Sequence, residues 1–487
     1  MLNVLSVDEV KQAEARAEKS GLNEDILIEN ASAAVVRRVL RIAKKSEKIC
    51  VLVGGGNNGA DGLSVARMLF LAGRKVELML ASDNFGAAAS ARLKACRLLG
   101  VKEISVDKFR PDDFGIVIDA IFGTGCNRPL GGVARVLAEK CNASAARVVA
   151  VDIPSGLNAD TGETELAVKA FETVTFSFAK LGHFMGKGRN YVGKLTVADI
   201  GLRGEGIAKA LEEGDAEFPA REPVSHKYDY GRVRVIAGSP EMLGASLLAH
   251  ESAVSALKCG AGLVSLCVPS SLRTAYQARV KEETLCFLPD MDGKIIFDSE
   301  SLQPLFEKTK AILIGPGMGK NAELIKIIEY IKDNFSGVLI LDADALNAVA
   351  GNTEILRNRK SDLILTPHMG EFARLTAGMF DESEPVISRV KKFAAKIGAV
   401  VVAKSATTVI SDGNTVYLNA TGTPALAKGG SGDVLGGMIA ALACRMSPLE
   451  AALRGCYVFG KCAEKAEKTT GTESLLASDI IPYFKEI

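Results

Sequence analysis

The chain has 487 residues, of which 48% are hydrophobic and 24% charged, and its formal net charge is +1. This length predicts two or more domains. The balanced charge argues against a protein that binds nucleic acid or a membrane surface through a broad basic face. The chain shows no apolar signal-peptide core and no uncharged stretch of membrane-spanning length. Its ten cysteines form no C-x-x-C pair, so we expect reduced thiols in a soluble, cytoplasmic protein.

The first half of the chain shows a strand, a glycine-rich turn, a helix and a second strand in succession. Residues 49–53 form a short β-branched run, residues 54–62 carry the glycines, residues 63–72 have a helical pattern, and residues 75–80 form the next strand. This order predicts a βαβ unit and a parallel sheet.

The glycine-rich turn nearly matches a dinucleotide-binding fingerprint. Gly54, Gly56 and Gly59 satisfy G-x-G-x-x-G after a strand, and an acidic residue follows at a suitable distance. However, the turn also carries Asn58 and Asp61, where that fingerprint needs only backbone beside a pyrophosphate. The pattern therefore argues against an ordinary dehydrogenase site.

Polar side chains follow two further strands of the first half. Asp119 ends one strand, and Asp152 and Ser155 follow the next. Because ligands of open α/β sheets bind beyond the carboxyl ends of the strands, we expect these residues and Asn58 to converge on one crevice. Their oxygens suit a hard cation better than zinc. Taken singly, each Asp is better explained as a turn former or helix cap, but three such strand ends in succession favour a ligand site. His183 lies in a glycine-rich loop, where we expect a solvated side chain rather than a catalytic one.

Residues 201–223 are polar, show no clear strand and form the predicted boundary between two domains. The second half then again shows strands that end in polar residues. Short apolar runs, each followed by polar or glycine residues, predict a second large sheet; they span residues 232–237, 263–268, 311–314, 338–341, 363–365, 399–403 and 415–418. Gly315–Lys320 resembles a phosphate loop but does not meet the Walker pattern. Ala245, near the start of a predicted helix, either admits a ligand or packs tightly against a neighbouring helix.

The stretch Lys428–Gly437 carries the strongest chemical signal of the chain. Gly429, Gly430 and Gly432 precede an apolar helix, and a glycine-rich turn at a helix N-terminus is an anion-binding arrangement. We interpret Asp433 as a base that takes a proton from an attacking hydroxyl, the alternative being a helix cap. We interpret His368, at a strand end, as a ligand-contacting residue rather than a loop histidine satisfied by its neighbours.

Six motifs in this order resemble the family of bifunctional NAD(P)H-hydrate repair enzymes over nearly the whole chain. They are Asn57–Gly62, Asp119 with Phe122–Gly125, Asp152–Asn158, Gly315–Gly317, Pro367–Glu371 and Gly429–Asp433. The resemblance implies an α/β protein of two domains. Residues 1–212 would form a Rossmann-like three-layer αβα epimerase domain, and residues 222–487 a ribokinase-like αβα dehydratase domain.

The resemblance also implies two activities, an isomerase and a lyase, in one multifunctional enzyme. The first domain would interconvert the R and S epimers of hydrated NADH and NADPH. The second would phosphorylate the hydroxyl of the S epimer with ADP or ATP, normally with Mg²⁺, and loss of phosphate would restore NAD(P)H. The implied partners are these small molecules and further copies of the chain, with no nucleic acid or membrane. The choice between ADP and ATP, the preference between the two hydrates, the number of subunits and the chemical route of epimerisation stay open.

Site residues carry over where the motifs match. Asn58, Asp119 and Ser155 would hold K⁺, and Asp152 is the candidate for proton transfer. The hydrate would contact Asn57, Asn58, Gly59, Ala60, Asp61, Gly123, Thr124, Gly125, Cys126, Asn127, Arg128, Pro129 and Asp152 in the first domain. In the second domain it would contact Ala245, Gly317, His368 and Asp433. The nucleotide would contact Lys404, Ser405, Ala406, Thr407, Thr408 and Gly432. The family's Gly-Met pair after the last proline is replaced by Ala425-Leu426, which leaves the glycine turn and Asp433 intact.

Two alternatives compete with this interpretation. The second half alone would also fit a ribokinase-type kinase for a vitamin alcohol, with a regulatory first domain. A nucleotide-binding scaffold without activity would fit the glycine turn. The polar strand ends of the first half argue against an inert first domain, and an Asp433→Ala variant that loses nothing measurable would favour the scaffold.

Overall fold

The computed structural model describes residues 1–215, 217–218, 220–241 and 243–486. The chain divides into two compact units, the first Leu2–Ala208 and the second beginning at Lys209. Each is built on a largely parallel sheet, which confirms the predicted α/β class. Within the described ranges, no helix combines the length and the apolar character that a membrane span requires.

The elements of the first unit follow the predicted alternation of strands and helices. Its strands are β1 (Leu2–Leu5), β2 (Lys48–Val53), β3 (Lys75–Leu80), β4 (Lys102–Ile104), β5 (Ile116–Ala120), β6 (Arg147–Val151), β7 (Glu172–Phe176), β8 (Ala179–Lys180) and β9 (Lys194–Ala198). Its helices are α1 (Val7–Lys19), α2 (Glu24–Ile42), α3 (Asn57–Leu71), α4 (Ala87–Leu98) and α5 (Gly132–Asn142).

The main sheet of the first unit has the order β4-β3-β2-β5-β6-β7-β9, and every pair is parallel. Strand β2 is buried on both faces: Val51 belongs to the core formed with α2, α3 and α4, whereas Leu52 belongs to the core formed with α5. The strand order reverses between β2 and β5, because β2 to β4 extend the sheet in one direction and β5, β6, β7 and β9 in the other. This topological switch point is where open α/β sheets bind ligands.

Helix α3 begins earlier than predicted. The pattern placed its start at Leu63, but the helix starts at Asn57 after Gly56, so only residues 54–56 form the turn. Glycine is required inside the helix because a Cβ atom on Gly59 would lie 1.9 Å from the Gly54 oxygen, and one on Gly62 would lie 2.4 Å from Ala120 Cβ. The second half of the glycine motif therefore packs the helix onto the sheet.

The second unit contains more strands than the first. They are β10 (Ala208–Ala210), β11 (Arg232–Ile236), β12 (Leu263–Pro269), β13 (Thr284–Leu288), β14 (Asp290–Met291), β15 (Lys294–Ile295), β16 (Ala311–Ile314), β17 (Val338–Leu341), β18 (Asp362–Leu365), β19 (Val400–Ala403), β20 (Thr408–Ser411) and β21 (Val416–Asn419). The helices are α6 (Leu243–Lys258), α7 (Arg273–Gln277), α8 (Ser299–Leu302), α9 (Leu324–Asn334), α10 (Asp344–Val349), α11 (Met369–Leu375), α12 (Val386–Ile397), α13 (Ser431–Leu442) and α14 (Pro448–Thr470).

The strands of the second unit run in the order β13-β12-β11-β16-β17-β18-β19-β20-β21-β10. They are parallel from β13 to β19, and β20 is antiparallel to both of its neighbours. The expectation of no clear strand in residues 201–223 was wrong, because β10 lies there and pairs with β21. A three-residue strand with Lys209 at its centre is too short to show an alternating pattern.

Helices α6, α13 and α14 share one core with β11, which includes Val235, Ala253 and Met438. Helices α6 and α13 approach very closely, because a Cβ atom on Gly437 would lie 2.0 Å from the Ser252 oxygen. The predicted helix at residues 434–442 starts three residues earlier, at Ser431. Gly432 and Asp433 therefore belong to its first turn.

Candidate active sites

The first domain brings two of the predicted strand-end residues into direct contact. Asp119 is fully buried, and Ser155 donates to it twice: the Ser155 N–H lies 2.8 Å from Oδ2, and Ser155 Oγ lies 2.6 Å from Oδ1. Burial raises the pKa of Asp119 to about 6, although the bonds from Ser155 and Ile121 act in the opposite direction. The loop after β6 is thus tied to the end of β5.

Asn58 lies beside the loop that follows β5. A Cβ atom on Gly123 would lie 3.4 Å from Asn58 Oδ1. Phe122, the residue before Gly123, donates its N–H to Ser155 Oγ over 2.9 Å. The loop after β5 therefore lies next to both Asn58 and Ser155. The Nδ2 atom of Asn58 is buried without a hydrogen-bond partner. An orphaned buried amide of this kind points to a ligand.

Asp152 sits in a buried network of charged and polar groups. Its backbone has a φ of 67°, in the left-handed region that non-glycine residues rarely adopt. Its Oδ1 atom accepts from the Lys180 ammonium and from Thr175 Oγ1, the latter over 2.9 Å. Its carbonyl oxygen lies 3.1 Å from His183 Nε2.

The expectation that His183 is solvated was wrong, because the exposed fraction of this residue is 2%. The glycine-rich loop that carries His183 folds against Asp152 instead of projecting outward.

The remaining predicted residues of the first domain fall into two groups. Gly59 and Ala60 are buried inside α3, whereas Asn57 is exposed and donates to Glu24 over 2.7 Å. Asp61 lies in α3, where burial first and the nearby Asp152 second hold its pKa well above the ordinary value. A cavity of about 420 Å³ is lined by Cys126, Asn127, Arg128, Pro129, Gly156, Asn158, Thr161, Glu163, Thr164 and Glu165. Part of the predicted hydrate-binding loop therefore borders open space.

In the second domain, Asp433 lies in the first turn of α13 and does not occupy its N-cap position. That position belongs to Gly430, which has a φ of 92° and no side chain. The interpretation of Asp433 as the N-cap residue is therefore wrong. Burial and then the Asp342 carboxylate raise the pKa of Asp433 to about 7, while the Lys404 ammonium opposes them. A carboxyl group with this pKa can accept a proton near neutral pH.

Lys404 lies beside the glycine turn that precedes α13. Its Nζ atom is 2.9 Å from Asp342 Oδ1, and a Cβ atom on Gly432 would lie 3.1 Å from that same Nζ. Burial lowers the pKa of Lys404, but Asp342 and Glu371 outweigh it and the net pKa is raised. The ammonium therefore stays charged next to the helix N-terminus, where an anion is favoured.

His368 and Lys404 are linked through the main chain. The two residues form a parallel bridge, and the Lys404 N–H donates to the Pro367 oxygen over 2.7 Å. His368 caps α11 through Nδ1, while 57% of its side chain is exposed. Glu371 is buried one turn later, and burial raises its pKa, with Asp342 adding to the effect. His368 can thus meet a ligand at the rim of the site.

The other predicted residues of the second domain surround this centre. Gly317, with a φ of 61°, contacts the start of α6, because a Cβ atom there would lie 2.9 Å from the Ala245 carbonyl carbon. Ala245 therefore packs closely, and its contact with a ligand stays a prediction. Beyond Lys404, Ser405 and Ala406 are exposed, Thr408 is half-buried and Thr407 is buried.

Several residues at these centres were not predicted. Asp342 follows β17, so the strand-end signal that identified Asp119 was also available for it. Glu371 was part of a recognised motif but was given no role. Lys180 and Thr175 had no signal, because a lysine after a short strand is common and its partner lies 28 positions earlier.

Two family models match the chain. Residues 233–485 match the model described as NAD(P)H-hydrate dehydratase, and residues 24–182 match the model described as YjeF-related protein N-terminus. The dehydratase match includes Asp342, Lys404 and Asp433, and the other includes Asn58, Asp119 and Asp152. Both centres thus lie inside matched regions.

Proteins similar over the full length carry both regions. The bifunctional NAD(P)H-hydrate repair enzyme Nnr of Thermofilum pendens is 35% identical over 503 residues, covering 99% of this chain and 95% of that protein. The enzyme of the same name from Escherichia coli is 34% identical, covering 90% and 84%. The crystal structure of the ADP/ATP-dependent NAD(P)H-hydrate dehydratase from Bacillus subtilis, co-crystallized with ATP/Mg²⁺, is 31% identical and covers 56% of this chain and 94% of that chain, with a TM-score of 0.47. The chain therefore belongs to the family of bifunctional NAD(P)H-hydrate repair enzymes.

Proposed function

We propose that this enzyme repairs hydrated NADH and NADPH in two steps. Its first domain interconverts the R and S epimers of the hydrate, and its second domain converts the S epimer to NAD(P)H with ADP or ATP as phosphoryl donor. The observation that carries the proposal is the meeting of Asp433, Lys404 and Gly432 at the start of α13. We propose residues 1–212 and 222–487 as the limits of the two domains.

The second domain supplies the three parts that phosphoryl transfer needs. The first turn of α13 and the Lys404 ammonium hold phosphate oxygens, and Asp433 accepts the proton of the hydrate hydroxyl as its oxygen attacks the terminal phosphorus. The bond from that phosphorus to the remaining nucleotide breaks. Inorganic phosphate then leaves the hydrate together with a proton from the neighbouring carbon, and the ring double bond is restored. Ala245, Gly317 and His368 position the hydrate, and Ser405–Thr408 hold the nucleotide.

The acidic residues around Lys404 suit Mg²⁺ bound together with a nucleotide. Asp342 and Glu371 place two carboxylates near one ammonium. Burial raises the pKa of Glu371 and the Asp342 charge adds to the effect, so the two carboxylates repel each other. No cluster of three or more His, Cys, Asp or Glu side chains forms a metal site in the part of the chain that the structure describes. Mg²⁺ usually takes only one or two carboxylates and completes its shell with phosphates and water. Asp342 and Glu371 would hold the ion, which would neutralise charge on the phosphates.

The first domain fits K⁺ near Asn58, Asp119 and Ser155. The donors are amide, carboxylate and hydroxyl oxygens, which suit a hard cation. The buried Asn58 amide has no partner for Nδ2, so the orientation of this side chain is free to be set by a ligand. K⁺ would lie at the switch point of the sheet and would offset the charge of the buried Asp119.

Asp152 is the proposed proton-transfer residue of epimerisation. The hydrate would contact residues 57–61, 123–129 and Asp152, and the cavity beside residues 126–129 leaves space for the dinucleotide. The similarity of full-length repair enzymes across this domain supports an active first domain. It favours repair over the vitamin-alcohol kinase with a regulatory first domain. We also propose self-association and a cytoplasmic location.

Separated epimers test this proposal directly. S-NADHX with Mg²⁺ and ADP or ATP should regain reduced-nicotinamide absorbance, and R-NADHX without nucleotide should yield the S epimer faster than an enzyme-free control. An Asp433→Asn variant should lose dehydration by about two orders of magnitude or more while keeping epimerisation and nucleotide binding. Phosphorylation of a vitamin alcohol with no turnover of either epimer would contradict the proposal.

A further inference from the structure

Asp152 is held by two residues to which no role in the reaction has been given. Lys180 contacts the side chain of Asp152, and His183 contacts its carbonyl oxygen. Both come from the short segment that begins at β8 and continues into a tight turn of residues 181–183. This segment therefore contacts Asp152 at two separate points, the side chain and the carbonyl oxygen.

The Lys180 side chain is buried, and among the residues that the structure describes its ammonium donates only within this site. Its exposed fraction is 1%, and its ammonium donates to Asp152 Oδ1 and, over 2.8 Å, to Thr175 Oγ1. The Thr175 hydroxyl donates in turn to Asp152 Oδ1 over 2.9 Å. Burial of an ammonium is costly unless the charge is paired and hydrogen-bonded. The bonds from Lys180 and Thr175 therefore orient the Asp152 carboxylate.

The ring of His183 has a defined protonation state. The Lys180 N–H donates to Nδ1 over 3.1 Å, so Nδ1 carries no proton and Nε2 donates to the Asp152 oxygen over 3.1 Å. Burial first, and then the Lys180 charge, lower the pKa of His183 to about 3, so the ring stays neutral. The bond to the carbonyl oxygen secures the peptide that follows Asp152, and Asp152 itself has a backbone φ of 67°. A strained conformation of this kind persists only when its surroundings hold it.

The charges around Asp152 explain why its half-buried carboxylate needs this support. Burial raises its pKa, but Lys180, Thr175 and His183 together outweigh burial and leave the pKa below the ordinary value. Two other acids lie nearby, Glu14 of α1 and Asp61 of α3, and the Asp152 charge raises the pKa of both. Asp152 is therefore the ionised member of an acidic group, and Lys180 is the cation that permits it.

We propose that Lys180 and His183 are positioning residues for epimerisation: Lys180 keeps the Asp152 side chain ionised and oriented, and His183 holds the Asp152 backbone in its left-handed conformation. This inference rests on the proposed function, in which Asp152 transfers the proton. The two residues act on different parts of Asp152, so their loss has different consequences.

Lys180→Met keeps the length of the side chain and removes its charge. In the full chain, epimerisation of R-NADHX should fall at least tenfold near neutral pH. The acidic limb of its rate profile should move to higher pH, because the pKa of Asp152 rises when the cation is lost. Lys180→Arg restores a cation and should return the limb toward its original position, even where the altered shape lowers kcat.

His183→Leu removes the donor to the Asp152 carbonyl, and His183→Gln can retain it. The Leu variant should lower kcat for epimerisation with little change in KM, and the acidic limb should stay in place because no charge is lost. The Gln variant should recover most of kcat. A merely structural histidine would predict equal losses in both variants.

The second domain of the same chain is the internal control. Dehydration of S-NADHX should stay at the wild-type rate in all four variants, which normalises for concentration and folding of that domain. Wild-type epimerisation establishes the proposed function independently of the variants. An acidic limb that is the same in wild type, Lys180→Met and Lys180→Arg would overturn the role of Lys180. Wild-type kcat in His183→Leu, or equal kcat in the Leu and Gln variants, would overturn that of His183.

Discussion

The Lys404 ammonium lies 2.9 Å from Asp342 Oδ1, and the two residues follow different strands of the second sheet, β19 and β17. Asp342 is buried and Lys404 is half-buried, and the ammonium lies beside the glycine turn that begins α13. Asp342 fixes where the ammonium points and also raises the pKa of Asp433. One carboxylate thereby influences both the anion site and the proposed base.

Removal of the Lys404 charge should weaken nucleotide binding. A hydrogen bond to a charged group contributes about 1.5–3 kcal/mol, so Lys404→Met should raise the Kd for ADP or ATP by about ten- to a hundredfold. Calorimetric titration of the full chain measures this change. Lys428→Met is the matched control, because the Lys428 ammonium donates to the carbonyls of Glu473 and Leu475 instead. Equal weakening by both variants would mean that Lys404 has no special place in the site.

The rate of dehydration should depend on the ionisation of Asp433. Its pKa is about 7, and the base is active only as the carboxylate, so kcat/KM for S-NADHX should rise with pH through about 7 and level off above it. Below that value, kcat/KM should fall about tenfold for each pH unit. The measurement is the conversion of S-NADHX at saturating nucleotide across the neutral range. A rate that stays constant from about pH 6 to pH 8 would remove Asp433 from the role of base.

Epimerisation should depend on K⁺ through Asn58. Replacement of K⁺ by a large organic cation should slow the conversion of R-NADHX by the wild-type enzyme. In Asn58→Leu, which lacks the amide oxygen, the residual rate should no longer respond to K⁺. Dehydration of the S epimer by the same preparations provides the control for folding. A wild-type rate that is indifferent to K⁺ would exclude the proposed cation site.

Gly437→Ala should destabilise the second domain. The added Cβ atom would lie 2.0 Å from the Ser252 oxygen on the facing helix, so α6 and α13 must move apart. Overpacking of this kind costs about 1–3 kcal/mol, and thermal or urea unfolding would show the loss. Gly244→Ala is the control, because a Cβ atom there meets nothing within 4 Å. Equal stability of the two variants would show that the helices can separate without cost.

Much of both sheets could be predicted from the sequence, because short apolar runs that end in polar residues mark buried parallel strands. The run at residues 75–80 coincides with β3, and the run at 311–314 coincides with β16. Helix starts were less predictable. Glycines at 59 and 62 looked like a loop, yet they sit inside α3 because the helix touches the sheet there.

The partners of the site residues could not be predicted, because they come from distant parts of the chain. Asp152 and Asp433 stood out through their strand-end and glycine-turn settings. Lys180 matters through a contact across 28 positions, which no local pattern encodes. Asp342 carries the strand-end signal, but its pairing with Lys404 spans 62 positions and is equally absent from any local pattern. His183 was misjudged for the same reason, since burial depends on how its loop folds back.

The most direct measurement is the recovery of reduced-nicotinamide absorbance from a mixture of R- and S-NADHX, with Mg²⁺ and ADP or ATP, by the intact chain. Wild-type enzyme should recover the absorbance completely, and faster than spontaneous epimerisation permits. Asp152→Asn should recover the S fraction quickly and the R fraction only at the enzyme-free rate, and Asp433→Asn should recover almost nothing. No recovery by the wild-type enzyme with either nucleotide would contradict the proposed repair function.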